Sequence, residues 1–121
     1  MLLKMYTAEH RHARMSPLKL RQVARILRGQ TATVGREKLK FIPRKSARLI
    51  GKVLDSAIAN AENNFSVPAD RLVIDNVIIE EGPAFHRHIP AARGSAHPIR
   101  KRTSNIRVNL FSRGQLYGTK S

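Results

Sequence analysis

The sequence predicts an α+β fold: three helices packed on a small three-stranded antiparallel sheet, with a long protruding β-hairpin arm. Three observations carry that reading. Stretches 17–28 and 43–63 repeat apolar residues at helical spacing. Stretches 72–80 and 105–110 read as strands. Between those two strands runs Gly82–Arg102, which has no acidic residue and only Phe85, Ile89 and Ile99 as large apolar side chains. Such a run cannot bury enough apolar surface to fold on itself. The simplest geometry is a two-stranded arm that leaves the domain, turns near Arg93-Gly94-Ser95 and returns. Gly94 supplies the positive φ of a tight reversal, and each limb reaches about 30 Å at roughly 3.3 Å per residue. Pro83, Pro90 and Pro98 lack an N–H and are expected to interrupt a regular ladder. The arm is therefore expected to be mobile when free and ordered by a partner.

The remaining elements follow in order. Lys4–His12 reads as an edge strand, and His10-Arg11-His12-Ala13-Arg14 as a basic cluster just ahead of a helix. Ser16 is the expected N-cap, with Pro17 at the first helical position. That helix runs to about Arg28, where Gly29 stops it. Leu20, Val23, Ala24 and Leu27 form its apolar stripe, and Arg21, Arg25 and Arg28 a second, solvated face. Thr33 is expected to cap a short helix over Val34–Phe41, with Leu39 and Phe41 facing the body. Pro43 is expected to open the core helix, 43–63, along which Ala47, Ile50, Gly51, Leu54, Ala57, Ile58, Ala61 and Phe65 follow one stripe. At its start Arg44, Lys45 and Arg48 crowd the positive end of the helix dipole, each disfavoured there by about 0.3–1 kcal/mol. That crowding fits a phosphate site or a tolerated surface penalty, and both readings stay open. Stretch 72–80 is apolar on both faces, which predicts a central strand. Stretch 105–110 alternates, which predicts a half-exposed antiparallel one. The whole, 1–121, is expected to form one domain: a body over about 4–81 and 103–110, an arm over about 82–102 and a mobile tail over 111–121.

The formal net charge is +15 over 121 residues. A charge this large repels itself unless a polyanion neutralises it, which makes nucleic acid the leading partner. Its distribution matters more than its sum. Residues 1–52 hold 14 basic and 2 acidic side chains, 53–81 hold 1 and 6, and 82–121 hold 8 and none. Binding charge therefore sits at the two ends of the chain. With no cysteine, disulfides, thiolate metal sites and thiol catalysis are excluded. No apolar run is long enough to span a bilayer, and Met1-Leu2-Leu3-Lys4 is too short for a secretory signal, so an intracellular setting is expected. His86, His88 and His97 on the arm suggest a metal site, but no Asp, Glu or Cys lies near to complete one. No nucleophile is placed beside a base, and no phosphate loop is present, so neither catalysis nor a cofactor is expected. An architectural DNA binder with a basic β-arm and a proline wedge is the alternative; Pro90 and Pro98 lie well back from the expected turn, which weighs against it.

Five blocks now carry a resemblance: Lys19–Gly29, Lys52–Asn64, Glu81–Pro83, Pro90–Ala96 and Ile99–Ile106. In consistent order over about His10 to Val108, they closely resemble the bacterial-type large-subunit ribosomal protein L-twenty-two family. In this chain Asn105 stands where the family more often has His. The resemblance implies a compact body on the outer face of the large subunit, near the mouth of the peptide exit tunnel, in the cytoplasm. It implies an arm that threads through several domains of large-subunit ribosomal RNA and takes part in subunit assembly. Neighbouring ribosomal proteins and the nascent polypeptide are the other implied partners, with no membrane. By position, the implied RNA-binding residues on the body are His10, Arg11, His12, Arg14, Ser16, Lys19 and Lys45. On the arm they are Arg87, His88, Arg93, Gly94, Arg100, Lys101, Arg102 and Thr103. Ala92, Arg93, Gly94 and Ser95 form the implied tunnel-lining tip.

Overall fold

The computed structural model describes residues 4–82, 85–90 and 96–112, with the backbone alone described for 85–90 and 96–101. The pieces of the arm expected at 83–84 and 91–95, the tip residues included, and the expected tail from 113 onward lie outside the described residues. Strands β1 (Met5–Ala13), β2 (Leu72–Glu81) and β5 (Ser104–Ser112) form an antiparallel sheet in the order β1-β5-β2. Helices α1 (Pro17–Ala24), α2 (Ala32–Lys40) and α3 (Lys45–Phe65) cover one face of it. Strands β3 (Phe85–Pro90) and β4 (Ala96–Lys101) pair separately as a two-stranded ribbon. No helix among the described residues is long and apolar enough to cross a membrane. The α+β class and the three-on-three layering agree with the sequence.

β5, not β2, is the central strand. Ser104, Ile106, Val108, Leu110 and Ser112 are all buried and the residues between them half-buried, so the alternation runs without a break along its length. It also runs two residues past the expected strand end at Leu110. β2 lies at an edge, against the expectation from its two apolar faces, and the reason is a β-bulge. Ile74 pairs with Leu110 and Asn76 with Asn109, which leaves Asp75 as an extra residue. An extra residue flips every later side chain to the opposite face. Leu72 and Ile74 before it and Val77 and Ile79 after it therefore all enter the same core. The far edge of β2 is partly covered: Gly29 N–H donates to Ile74 O (2.9 Å), and Ile74 N–H donates to Gln30 O (2.8 Å).

The helix ends differ from the sequence reading in instructive ways. α1 stops at Ala24, and residues 25–29 continue as tight turns with three-residue bonds, Ile26 N–H to Val23 O and Leu27 N–H to Ala24 O. Gly29 then takes φ = 82° and hands the chain to the edge of β2. The cap of α2 is Thr31, not Thr33: its hydroxyl accepts from Val34 N–H at 3.3 Å. Leu39 is buried as expected, whereas Phe41, just past the helix end, is 82% exposed. Pro43 lies two residues ahead of α3, whose N-cap is Arg44. Phe65 leaves the stripe at 46% exposure; it packs on Tyr6 at 5.2 Å between ring centroids and holds the Lys4 ammonium 3.6 Å above its ring. α3 ends in a left-handed (αL) cap, with Ser66 N–H donating to Glu62 O and Val67 N–H to Ala61 O. Ser66 occupies the left-handed position at φ = 57°, where glycine is the usual residue.

Leu20 and Leu27 from the α1 region, Ile50, Leu54 and Ile58 from α3, and Leu72, Ile74, Ile106, Val108 and Leu110 from the sheet are fully buried. Each such side chain contributes about 1.5–3 kcal/mol relative to leaving it in water. α2 packs closest on this core at Gly35, where a Cβ would stand 2.6 Å from Ile74 Cδ1. Gly35→Val should lower unfolding free energy by about 1–3 kcal/mol through overpacking. Ser66→Gly should raise it by about 1 kcal/mol by removing left-handed strain. Urea denaturation checks both, and opposite signs for the two would sink this account of the helix packing.

Candidate nucleic-acid interface

The candidate body residues gather where the ribbon joins the sheet. At that root Glu81 pairs with Ser104, and Gly82 N–H donates to Thr103 O at 2.9 Å. Gly82 is required by close approach, since a Cβ there would lie 2.7 Å from Thr103 Oγ1. Thr103 itself is 1% exposed, so it packs the root and presents no surface to a ligand, unlike the role its position in the resemblance implies. Ser104 Oγ donates to Met15 O at 2.7 Å, which ties the segment between β1 and α1 to the start of β5.

β1 reaches this root through a second bulge. His10 pairs with Ile106 and Ala13 with Ser104, three residues against two. His12 takes φ = 62° within the irregularity, and its N–H donates to Asn105 Oδ1 at 3.0 Å. The bulge returns Ala13 to the core while His10, Arg11, His12 and Arg14 stay exposed. Ser16 precedes α1 in extended conformation (φ −70°, ψ 145°), as expected of an N-cap, but its side chain makes no capping bond.

Lys19 on α1 and Lys45 on α3 meet across a cleft of about 370 Å³, lined also by Met15, Gln22, Arg44 and Ser46. Arg44 Nη1 donates to Gln22 Oε1 at 3.4 Å across it. Because Met15 is bonded to Ser104 at the ribbon root, cleft and root belong to one end of the body. The arginine stripe expected on α1 does not hold together. Arg21, itself exposed, is tied to the sheet by its Nη2, which donates to Ile79 O at 3.0 Å, and Arg25 and Arg28 lie beyond the helix end.

No acidic residue lines the cleft, and four acids are matched with arginine or lysine elsewhere. On the outer sheet face Glu9 accepts from Arg11 Nε at 2.8 Å and from Arg107 Nε at 3.3 Å, while Arg107 Nη1 lies 4.0 Å from Glu80. The hydrogen bond from Arg11 holds the Glu9 carboxyl below the usual carboxylate range and raises the Arg11 guanidinium in return. Among the described residues, Arg11 is thus the body candidate already engaged by an acid. Asp55 pairs with Arg36 at 2.9 Å and Glu37 with Lys40 at 3.3 Å. Each of these pairs is exposed, so each contributes little to stability. Their effect is to cancel charge outside the cleft.

In the ribbon the register is Phe85 with Lys101, His86 with Arg100, Arg87 with Ile99, His88 with Pro98, Ile89 with His97 and Pro90 with Ala96. Pro90 and Pro98 do not interrupt it. Pro90 and Pro98 fall on pairs of the same parity, and in an antiparallel ribbon alternate pairs make no cross-strand hydrogen bonds. The bonded pairs can run through Phe85, Arg87 and Ile89, and neither proline is required to donate. His97 stands opposite Ile89, out of phase with His86 and His88, which removes the three-histidine arrangement. The candidates Arg87, His88, Arg100 and Lys101 hold ribbon positions, and Arg102 is exposed at the root. Sequence reasoning missed Gly82, Ser104 and Asn105 as the residues that build the root. Ser104 was open to detection, since carrying the alternation of 106, 108 and 110 back by two residues reaches it.

A family model described as Ribosomal protein L22p/L17e matches residues 8–110. The protein named large ribosomal subunit protein uL22 of Opitutus terrae is 52% identical over 100 residues, covering 83% of this chain and 88% of that one. Its namesake from Methylacidiphilum infernorum is 52% identical over 103 residues, covering 85% and 90%. That of Akkermansia muciniphila is 46% identical over 103 residues, covering 85% and 92%.

The Glu9 pairing fixes a sign. A carboxyl lowered in the folded state contributes stability that is present above the ordinary carboxylate range and is lost as pH falls through the lowered value. A carbon-13 titration should place the Glu9 midpoint below that of an unpaired glutamate. In 1 M salt, where screening reaches about 3 Å, it should move up. A midpoint that ignores salt would contradict the pairing.

Proposed function

The chain belongs to the ribosomal protein L22p/L17e family, and from that premise we propose that it is a structural protein of the large ribosomal subunit that binds large-subunit ribosomal RNA. Its role is architectural and not catalytic. One observation carries the RNA reading: His10, His12, Arg14, Lys19, Lys45 and Arg102 are exposed around one end of the body, where the ribbon begins, and the cleft at that end has no acidic lining residue. Cations on a fixed scaffold neutralise phosphates, and folded RNA is recognised largely by shape and backbone.

On this reading the ribbon carries Arg87, His88, Arg93, Gly94, Arg100 and Lys101 into RNA from several domains. Ala92 to Ser95 form part of the wall of the peptide exit tunnel, next to the nascent polypeptide. Small residues such as Ala91, Ala92, Gly94, Ser95 and Ala96 suit passage between RNA helices. The body, over about 4–81 and 103–110, anchors the arm beside neighbouring proteins of a bacterial-type ribosome in the cytoplasm and joins during subunit assembly. What supports these finer statements is the resemblance of the sequence blocks and the placement of the ribbon root.

Two measurements test the proposal. The tagged chain should co-sediment with large subunits through a high-salt cushion; recovery only in the free fraction would contradict it. Replacing Arg100, Lys101 and Arg102 together by Ala should reduce the salt slope of binding to a large-subunit RNA transcript by about 0.7–0.9 for each phosphate that is no longer neutralised. An unchanged slope, or a preference for bent duplex DNA over the transcript in competition, would count against it.

A further inference from the structure

The geometry points to a dedicated phosphate cradle in the cleft between α1 and the first turn of α3, built by the backbone amides of Lys45 and Ser46 together with the Ser46 hydroxyl and flanked by Lys19, Arg44 and Lys45. The inference rests on the RNA reading for the source of the phosphate, a backbone phosphodiester, and goes beyond it in naming a site. α3 begins without a side-chain cap: Arg44 is extended at φ −132°, ψ 147°, makes no capping bond, and no acid stands in the first turn. The first amide with a backbone acceptor is that of Arg48, which donates to Arg44 O. The three before it have no acceptor among the described residues, and two of them, those of Lys45 and Ser46, belong to residues that line the cleft, with the positive end of a 21-residue helix behind them.

A second observation points independently to a ligand. Ser46 is 3% exposed and lines the cleft, yet its hydroxyl has no hydrogen-bond partner among the described residues. A buried hydroxyl left unpaired is costly, and native structures rarely keep one unless something outside the chain completes it. A phosphate oxygen would complete it, since the hydroxyl is a donor and every other polar side chain lining the cleft, apart from the Gln22 carbonyl, is also a donor. That carbonyl is already taken by Arg44 at 3.4 Å. The volume of about 370 Å³ lies within the range of small-ligand sites, about 300–1,000 Å³. The arginines and lysines crowding this helix end, unfavourable for an empty helix, become favourable once an anion sits between them.

The test uses the full chain labelled with nitrogen-15, titrated separately with dimethyl phosphate and inorganic phosphate. Saturable shifts of the Lys45 and Ser46 amides are expected with both. Response to inorganic phosphate alone would make the site one for free phosphate and overturn the assignment to a diester, and no response to either would overturn the cradle. Ser46→Ala should weaken binding about tenfold, the effect of one hydrogen bond to a charged group, while its thermal midpoint stays equal or rises because an unpaired hydroxyl is gone. A lowered midpoint would mean that the hydroxyl has a structural partner, which would overturn the inference. On the large-subunit RNA transcript Ser46→Ala should bind more weakly at an unchanged salt slope, since no charge is removed, whereas Lys45→Gln should lower the slope by about 0.7–0.9. If the wild-type chain binds the transcript and Ser46→Ala binds it equally well, the cradle fails and the RNA reading stands. If the wild-type chain ignores the transcript, the RNA reading and the diester source fail together, and the phosphate titration alone decides the cradle.

Discussion

One face of β5 must be buried along its whole length, and the other strands arrange themselves around that requirement. Ser104, Ile106, Val108, Leu110 and Ser112 give an unbroken alternation, so β5 acts as the ruler for its neighbours. Both neighbours slip against it by one residue, at Asp75 on β2 and between His10 and Ala13 on β1. Without those slips Val77 and Ile79 would turn to solvent and Ala13 would leave the core. A bulge costs ladder hydrogen bonds locally, but burying two large apolar side chains offsets that by several kcal/mol.

The same slip shapes the candidate interface. At the β1 bulge the backbone turns through His12, with Asn105 accepting the freed amide. The chain then passes close to the start of β5, where Ser104 holds Met15. The basic cluster that precedes α1 is thereby brought beside the place where the ribbon leaves the sheet. α3 supplies the other wall of the cleft, because its first turn faces α1 across Lys19 and Gln22. Packing that serves the core thus also sets which cations share a surface.

Charge is handled by segregation. Glu9, Glu37, Asp55 and Glu80 are matched with arginine or lysine on exposed surfaces, which trims the self-repulsion of a strongly basic chain. None of them lines the cleft. With four of its eight acids paired away from the cleft and cations crowded at one end, the surface leaves its positive potential concentrated there.

Fold class and most of the parts were legible in the residues alone. Helical spacing located α1 and α3, the alternation of 106, 108 and 110 located β5, and the segregation of acidic from basic residues located the two strongly basic ends of the chain. Five sequence blocks pointed to the family. Phase and neighbourhood, in contrast, emerged only from packing in three dimensions. Apolar residues of both parities in 72–80 look like a doubly buried strand, because periodicity cannot distinguish two buried faces from one face with an extra residue. Pro90 and Pro98 look like breaks until the register places them on unbonded pairs. Thr31 and Thr33 are equally good caps on paper, and only the direction of the chain leaving β2's edge selects the first. Ser46 carries no signal in the sequence at all: its burial, its hydroxyl without a partner among the described residues and its place in the cleft arise from how α1 and α3 meet, and a meeting of two helices is a property of the packed core and not of either segment.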